Sequence, residues 1–116
     1  MKKPKLKLVW SQQYSHREFA DLALDRAQRA CARDDWEKAI GFYKEALSLI
    51  GEAEEHRSAR GEVHVYIAHC YLLERYLYDA ENEMVLGYTM MDDNERRAEL
   101  KEAYCKLLRK IEREDY

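Results

Sequence analysis

Residues 35–51 read DWEKAIGFYKEALSLIG and decide the fold class of this chain. The apolar side chains in this stretch recur every three or four residues, as in an amphipathic α-helix: Trp36, Ala39, Ile40, Tyr43, Ala46, Leu47 and Ile50. Asp34 and Glu37 have the spacing of a capping box and predict where the helix begins. Gly51 predicts its end in a left-handed cap. The stretch therefore predicts one complete helix.

The same pattern occurs again 41 residues later in the chain. Displacement by 41 residues pairs side chains of similar size: Leu24/Val65, Ala27/Ala68, Cys31/Leu72, Trp36/Leu77, Ala39/Ala80, Tyr43/Met84, Ala46/Gly87, Leu49/Met90 and Ile50/Met91. The pairs Arg26/Ile67 and Ile40/Glu81 do not match. Because small residues recur where two antiparallel helices would cross, we expect one helix hairpin that is used twice.

Start and stop signals divide the chain into five predicted helices. Ser15 and Glu18 predict a first helix that runs to about residue 33, and residues 34–51 form the second. A third is predicted over about 53–74 and a fourth over about 78–91, after a break near residues 75 and 76. Asp92 and Glu95 predict the start of a fifth helix with an apolar stripe at Leu100, Ala103, Leu107, Leu108 and Ile111. The sequence therefore predicts an all-α fold.

Both halves of a known repeat motif occur in these helices. In the second helix a small residue, an aromatic residue and a second small residue stand at Ala39, Tyr43 and Ala46, after Asp35 and Trp36 in the turn. The third helix has the other half, a large residue, an aliphatic residue, a small residue and a tyrosine, at His64, Ile67, Ala68 and Tyr71. Over about residues 19–91 the chain resembles the tetratricopeptide repeat (TPR) family, in its longer-helix type.

The chain also departs from that family. Gly51 stands where the family has a proline and Ala30 where it has a tyrosine, and the period of 41 exceeds the usual ~34 residues. The extra residues fall within 51–60, about two turns of helix. The alternative is a three-helix MIT-type domain, whose second helix begins with a stretch similar to residues 35–39. The internal repeat favours the TPR resemblance over it.

The resemblance implies two antiparallel hairpins and a C-terminal capping helix, which together are a fragment of an α-solenoid. A basic arm at 1–14 would precede one helical-repeat domain at 15–116, with repeats at about 16–51 and 53–91 and the capping helix at about 93–114. The first helices of the two repeats would line an apolar concave groove, with Leu72 open to solvent: Leu24, Gln28, Cys31, Ala32, Val65, His69, Leu72 and Leu73. The implied function is that of a non-catalytic adaptor or scaffold that binds an apolar helix or extended peptide of another protein, or of a second copy.

Charge and cysteine content restrict the partners. Four of the 20 Lys and Arg residues lie in the first ten residues, which contain no Asp or Glu. The rest of the chain has 16 Lys and Arg against 23 Asp and Glu, so it carries a net negative charge. An acidic body argues against nucleic acid as a partner. Apolar runs are too short for a membrane span, which predicts no membrane partner. The three widely spaced cysteines Cys31, Cys70 and Cys105 predict free thiols in a reducing compartment, so we expect a cytoplasmic protein.

Motifs for catalysis, metal ions and cofactors have no support in the sequence. His56, His64 and His69 lack the spacing of metal ligands, and the four glycines stand too far apart for a phosphate-binding loop. His69 and Cys70 are adjacent but are expected on different helix faces. We therefore expect no enzyme, no metal and no cofactor. The alternative is a small helical enzyme, or a bundle that binds a ligand or metal, using His69 and nearby carboxylates.

Two further expectations concern aromatic side chains. Tyr43, Tyr71 and Tyr104 are predicted to lie in the core, whereas Tyr66, Tyr76 and Tyr78 fall off the core stripes and favour an interface. In the basic arm, Leu6, Leu8 and Trp10 form one apolar edge. This pattern predicts an extended segment that docks on the acidic body.

Overall fold

A computed structural model describes residues 17–114, and these residues form five α-helices and one short 3₁₀-helix. The helices are α1 (Arg17–Ala32), α2 (Trp36–Ile50), α3 (Arg57–Leu73), α4 (Leu77–Met90) and α5 (Asn94–Glu114), with the 3₁₀ turn Glu54–His56 before α3. Helices α1 and α2 pack as one hairpin, α3 and α4 as a second, and α2 packs against α3. The all-α prediction is confirmed. The arm at 1–14, with Leu6, Leu8 and Trp10, and the cap at Ser15 lie outside the described residues.

Two of the predicted helix caps are shifted by one residue. The Asp35 carboxylate, rather than that of Asp34, caps α2 by accepting a hydrogen bond from the Lys38 backbone N–H at 3.2 Å. The Asp93 carboxylate, rather than that of Asp92, accepts from the Arg96 backbone N–H at 3.1 Å at the start of α5. Gly51 ends α2 as predicted and has a positive φ of 83°. Its ψ of −177° differs from that of the left-handed helical cap that was expected.

The turns inside the two hairpins have the same hydrogen bonds. After α1 the Asp34 N–H donates to the Cys31 carbonyl and the Asp35 N–H to the Ala30 carbonyl, each at 2.9 Å. After α3, 41 residues later, the N–H groups of residues 75 and 76 donate to the carbonyls of residues 72 and 71, again at 2.9 Å. Asp34 (φ 59°) and Arg75 (φ 68°) take the left-handed position. These bonds form a Schellman motif at each helix end, so the repeat seen in the sequence is also a repeat of turn geometry.

Small residues hold the helices of each hairpin close together. Ala27, Ala39 and Ala46 are completely buried in the first hairpin, and Ala80 is completely buried in the second. In the second hairpin α3 and α4 also approach backbone to backbone. A Cβ placed on Gly61 would lie 2.7 Å from the Gly87 carbonyl oxygen, so this contact requires glycine.

Helix α5 packs along α3 and runs in the same direction. Near its start, the Arg96 guanidinium donates to Glu62 Oε2 at 3.2 Å and to the Tyr66 hydroxyl at 2.8 Å, and the Tyr66 hydroxyl donates to Glu62. Near its end, Arg75 and Glu114 form an ion pair at 3.1 Å. These polar contacts bracket an apolar stripe of Leu100, Tyr104 and Ile111, with Leu107 and Leu108 partly buried beside it.

Some side chains of α3 and α5 differ from their predicted exposure. Ala103, predicted on the buried stripe of α5, is exposed, because the stripe continues at Tyr104 instead. Tyr66, predicted to favour an interface, is buried, because α5 covers α3 at this point. Tyr71 is only half-buried, whereas Tyr43 and Tyr104 lie in the core as predicted.

Candidate binding site: two apolar clefts beside helix α5

The eight predicted groove residues do not form one surface. Leu24 is 3% exposed, and Val65 and Leu72 have no exposed surface. These three side chains therefore have almost no surface that a partner could contact. Val65 is turned toward α4, because a Cβ on Gly87 would meet its Cγ2 at 2.9 Å. Leu72, expected to be open to solvent, is instead a core residue. The others are accessible: Gln28, Cys31, His69 and Leu73 are half-buried and Ala32 is exposed.

Three of the predicted residues meet in a cleft at the junction of the two hairpins. This junction cleft has a volume of about 250 Å³ and draws on α1, α2, α3 and α5. Its lining is Cys31, Trp36, Tyr43, Tyr66, His69, Cys70, Leu73 and Leu100. Trp36, Tyr43 and Leu100 come from helices that were not predicted to line the groove, because the sequence does not show where α2 and α5 pack.

Two thiols face each other in the junction cleft. Cys31 Sγ and Cys70 Sγ are 3.9 Å apart and share a hydrogen bond. That hydrogen bond lowers the pKa of Cys31 to about 7 against the opposing effect of burial. The same hydrogen bond, together with burial, raises the pKa of Cys70. Cys31 therefore carries the greater thiolate character of the pair.

His69 contributes a neutral imidazole to the same cleft. Its Nδ1–H donates to the Val65 carbonyl at 3.0 Å, since a carbonyl can only accept. Nε2 is then a buried lone pair without a hydrogen-bond partner among residues 17–114. Burial lowers the pKa of His69. Its ring meets the Tyr104 ring edge-on, with centroids 5.9 Å apart. Although His69 and Cys70 were expected on different faces of α3, both line the junction cleft.

A second cleft lies between α4 and α5. This terminal cleft has a volume of about 300 Å³ and is lined by Glu81, Met84, Val85, Tyr88, Thr89, Lys101, Tyr104 and Cys105. It exists because the backbone of α5 packs mainly on α3, while α5 reaches α4 chiefly through long side chains. The Arg97 guanidinium lies 4.2 Å from the centroid of the Tyr88 ring and the Lys101 ammonium 5.7 Å, so cation–π contacts hold this wall in place.

Exposed apolar side chains concentrate beside the terminal cleft. Among the described residues, seven large apolar side chains are exposed, and five of them lie within 76–86: Tyr76, Leu77, Tyr78, Val85 and Leu86. Val85 also lines the cleft itself and is 58% exposed. The other two, Phe19 and Leu22, lie on α1. Tyr76 and Tyr78, which the sequence predicted to favour an interface, are part of this exposed set. The sequence analysis missed Leu77, Val85 and Leu86, although Val85 and Leu86 interrupt the polar face of the fourth predicted helix.

Neither cleft brings together the groups that metal chemistry requires. Across residues 17–114, no group of three or more His, Cys, Asp or Glu side chains is arranged to hold a metal ion. The same residues contain no helix with the length and apolar character of a membrane span. What the two clefts offer is apolar surface, a thiol pair and an imidazole lone pair.

No family model, curated protein or solved structure matches this chain. The TPR resemblance therefore rests on the residues quoted under Sequence analysis.

Proposed function

We propose that this protein is a non-catalytic interaction module, with a TPR-like arrangement, that binds an apolar face of a helix from another protein in the terminal cleft. The observation that carries the proposal is the apolar surface of α4 and the open cleft next to it. Five of the seven large exposed apolar side chains among the described residues lie within 76–86, and a concentration of exposed apolar surface marks interaction sites in soluble proteins. The terminal cleft replaces the predicted groove on α1 and α3, because three of that groove's residues are buried.

The form of the terminal cleft suits a helix. Its walls are two helices, with Met84 and Tyr104 buried at the base and Val85 exposed at the rim. Grooves between helices accept amphipathic helices through side chains spaced at three, four and seven residues. Glu81 and Lys101 lie on opposite walls, so a partner helix with a basic residue toward α4 and an acidic residue toward α5 would be favoured.

The place of this surface in the chain supports the same function. Helical-repeat proteins need a polar outer face on their terminal elements to remain soluble. Here the last described helix, α5, packs mainly on α3 and leaves α4 with an apolar outer face, on which Tyr78 is 77% exposed. A partner helix, or α4 of a second copy, would cover that face.

The test uses helical peptides selected from a displayed library against the full chain, followed by affinity measurements with the synthetic peptides. Val85→Arg places a charge at the rim of the cleft and should weaken binding by about tenfold or more. Leu22→Arg is the matched control, because Leu22 is also exposed (43%) but lies on α1. We expect it to change affinity less than about twofold, since it lies outside the cleft. Equal affinity of the two variants would reject the terminal cleft as the binding site.

Sedimentation velocity over a range of concentrations distinguishes a partner helix from a second copy. If copies associate through α4, the wild-type chain dimerises with rising concentration and Val85→Arg stays monomeric. If the partner is a different protein, both chains remain monomeric and only peptide binding is lost.

A further inference from the structure

Two cysteine side chains from different hairpins meet in the junction cleft. Cys31 is in the last turn of α1 and Cys70 in the last turn of α3, 39 residues apart in the chain. Their sulfur atoms are 3.9 Å apart, and both cysteines are free thiols. The two helices belong to different hairpins, and the main contact between those hairpins is made by α2 and α3 instead. A covalent bond here would therefore add a new link between the repeats.

The two thiols differ in access to solvent. Cys31 is half-buried and lines the junction cleft, which is open to solvent, whereas Cys70 is buried. A small oxidant that enters the cleft reaches Cys31, and Cys70 is in place to react with the product. The low pKa of Cys31 agrees with this order, because the thiolate is the reactive form of cysteine.

We propose that Cys31 and Cys70 form an oxidisable dithiol that is converted to an intramolecular disulfide by hydroperoxides, with Cys31 as the first residue to react and Cys70 as the resolving residue. This site lies in the junction cleft, and the proposal does not rest on the binding proposed for the terminal cleft.

The chemistry balances with a hydroperoxide as the only oxidant. The Cys31 thiol gives its proton to water, its sulfur attacks one peroxide oxygen, and the O–O bond breaks as an S–O bond forms. The departing hydroxide takes up a proton and leaves as water when the oxidant is hydrogen peroxide. The Cys70 sulfur then attacks the Cys31 sulfur, so that the S–S bond forms, the S–O bond breaks, and the Cys70 proton leaves with the hydroxide as a second water. Two thiols lose two electrons in total, and an external dithiol returns them.

Cys105 allows a clean experiment. It lines the terminal cleft and does not line the junction cleft, so Cys105→Ser leaves the proposed pair in place. Hydrogen peroxide at neutral pH should reduce the number of titratable thiols in this variant from about two to about zero and lower the mass by about two units. The product should be a single chain that dithiothreitol reduces again. Its melting temperature should rise by roughly 10 °C, because the bond closes a long loop.

Single-cysteine variants identify the order of the two steps. With Cys70→Ser in the same background, peroxide should leave Cys31 as a sulfenic acid that dimedone traps. With Cys31→Ser, oxidation of Cys70 should be slower by about tenfold or more, because Cys70 is buried and an oxidant reaches it less easily than Cys31. Equal rates in the two variants would overturn the assignment of Cys31 as the first residue to react.

The wild-type chain provides the decisive measurement without any substitution. Proteolytic mass mapping after peroxide treatment should find a peptide that contains residue 31 linked to one that contains residue 70. Free thiols that survive peroxide, disulfides between two chains, or a linkage that forms only in urea would each overturn the proposal.

Discussion

The two hairpins share a turn but differ at the point where their helices cross. Both turns carry the same pair of 2.9 Å hydrogen bonds and a left-handed residue, 41 positions apart. At the crossing, the first hairpin has Ala46, completely buried, where the second has Gly87. Gly87 faces Gly61 of α3. Residue 61 follows the 51–60 insertion directly and is not among the residue pairs that the 41-residue repeat matches.

The difference shows that one repeat pattern supports two modes of close packing. With alanines, methyl groups separate the helix backbones and bury apolar surface. With glycines, the backbones themselves touch, at a cost in helix propensity of about 1 kcal/mol per residue. One added methyl group therefore disrupts the contact between α3 and α4. The contact between α1 and α2 already contains alanine methyl groups.

Exchanging the two residues is the strongest test of this comparison. Gly87→Ala makes the second hairpin like the first, but its Cβ would meet the Gly61 carbonyl oxygen and Val65 Cγ2. We expect a loss of about 3 kcal/mol in the free energy of unfolding, measured in urea by circular dichroism. The reverse change, Ala46→Gly, should cost only about 1 kcal/mol.

Gly41→Ala is the control for helix propensity alone. Gly41 lies in the middle of α2 and is exposed, and a methyl group added to its Cα would have no atom within 4 Å. Alanine here should stabilise the chain by up to about 1 kcal/mol. A Gly87→Ala variant that is as stable as the wild type would show that α3 and α4 are not in backbone contact.

The next test addresses the position at which the hairpins agree. Ala39 and Ala80 are related by the 41-residue repeat, and both are completely buried. Ala39→Leu and Ala80→Leu should each cost about 2 kcal/mol, because leucine overpacks the crossing. Ala32→Leu, on an exposed site of α1, should stay within about 0.5 kcal/mol of the wild type. Urea unfolding of all three variants measures the contrast, and equal losses would reject the helix register.

The smallest expected effect depends on pH. Gln28 in the first repeat corresponds to His69 in the second, and burial lowers the pKa of His69. Above the ordinary histidine pKa of ~6.5 the imidazole is neutral in both the folded and the unfolded chain. As the pH falls below that value, the unfolded chain binds a proton that the folded chain does not, so stability decreases until the lower folded pKa is reached.

His69→Gln makes the second repeat like the first and removes this contribution. The free energy of unfolding should therefore fall less between about pH 8 and about pH 5 in the variant than in the wild type. Other titrating groups are common to both chains and cancel in the difference. Parallel curves for the two proteins would show that His69 is not buried in its neutral form.

Local patterns in the sequence predicted the helices well. Spacing of apolar residues located all five helices, and the small residues at 39, 46, 80 and 87 marked the crossings. The cap of α2 was shifted because the Schellman turn places Asp34 in the left-handed position, so that the capping function passes to Asp35. That shift depends on how the preceding helix ends, which a capping-box spacing does not report.

The candidate site was harder to predict because it depends on contacts between distant segments. The 41-residue repeat indicated which residues are equivalent, but not which face of α3 meets α4 and which meets α5. Val65 and Leu72 were consequently placed on an open groove and are buried. Tyr66 is buried by a network with Arg96, which lies 30 residues further along the chain. The thiol pair required the ends of α1 and α3 to be adjacent, and no short motif encodes that.

Helix α5 forms a wall of both clefts, with Leu100 in the junction cleft and Tyr104 in the terminal cleft. Because it packs mainly on α3, a movement of α5 away from the hairpins would remove one wall from both clefts at once. A molecule bound in either cleft would then favour the docked position of α5 and, by thermodynamic linkage, would favour binding in the other. In that case one helix would couple the two clefts without any change in the hairpins themselves.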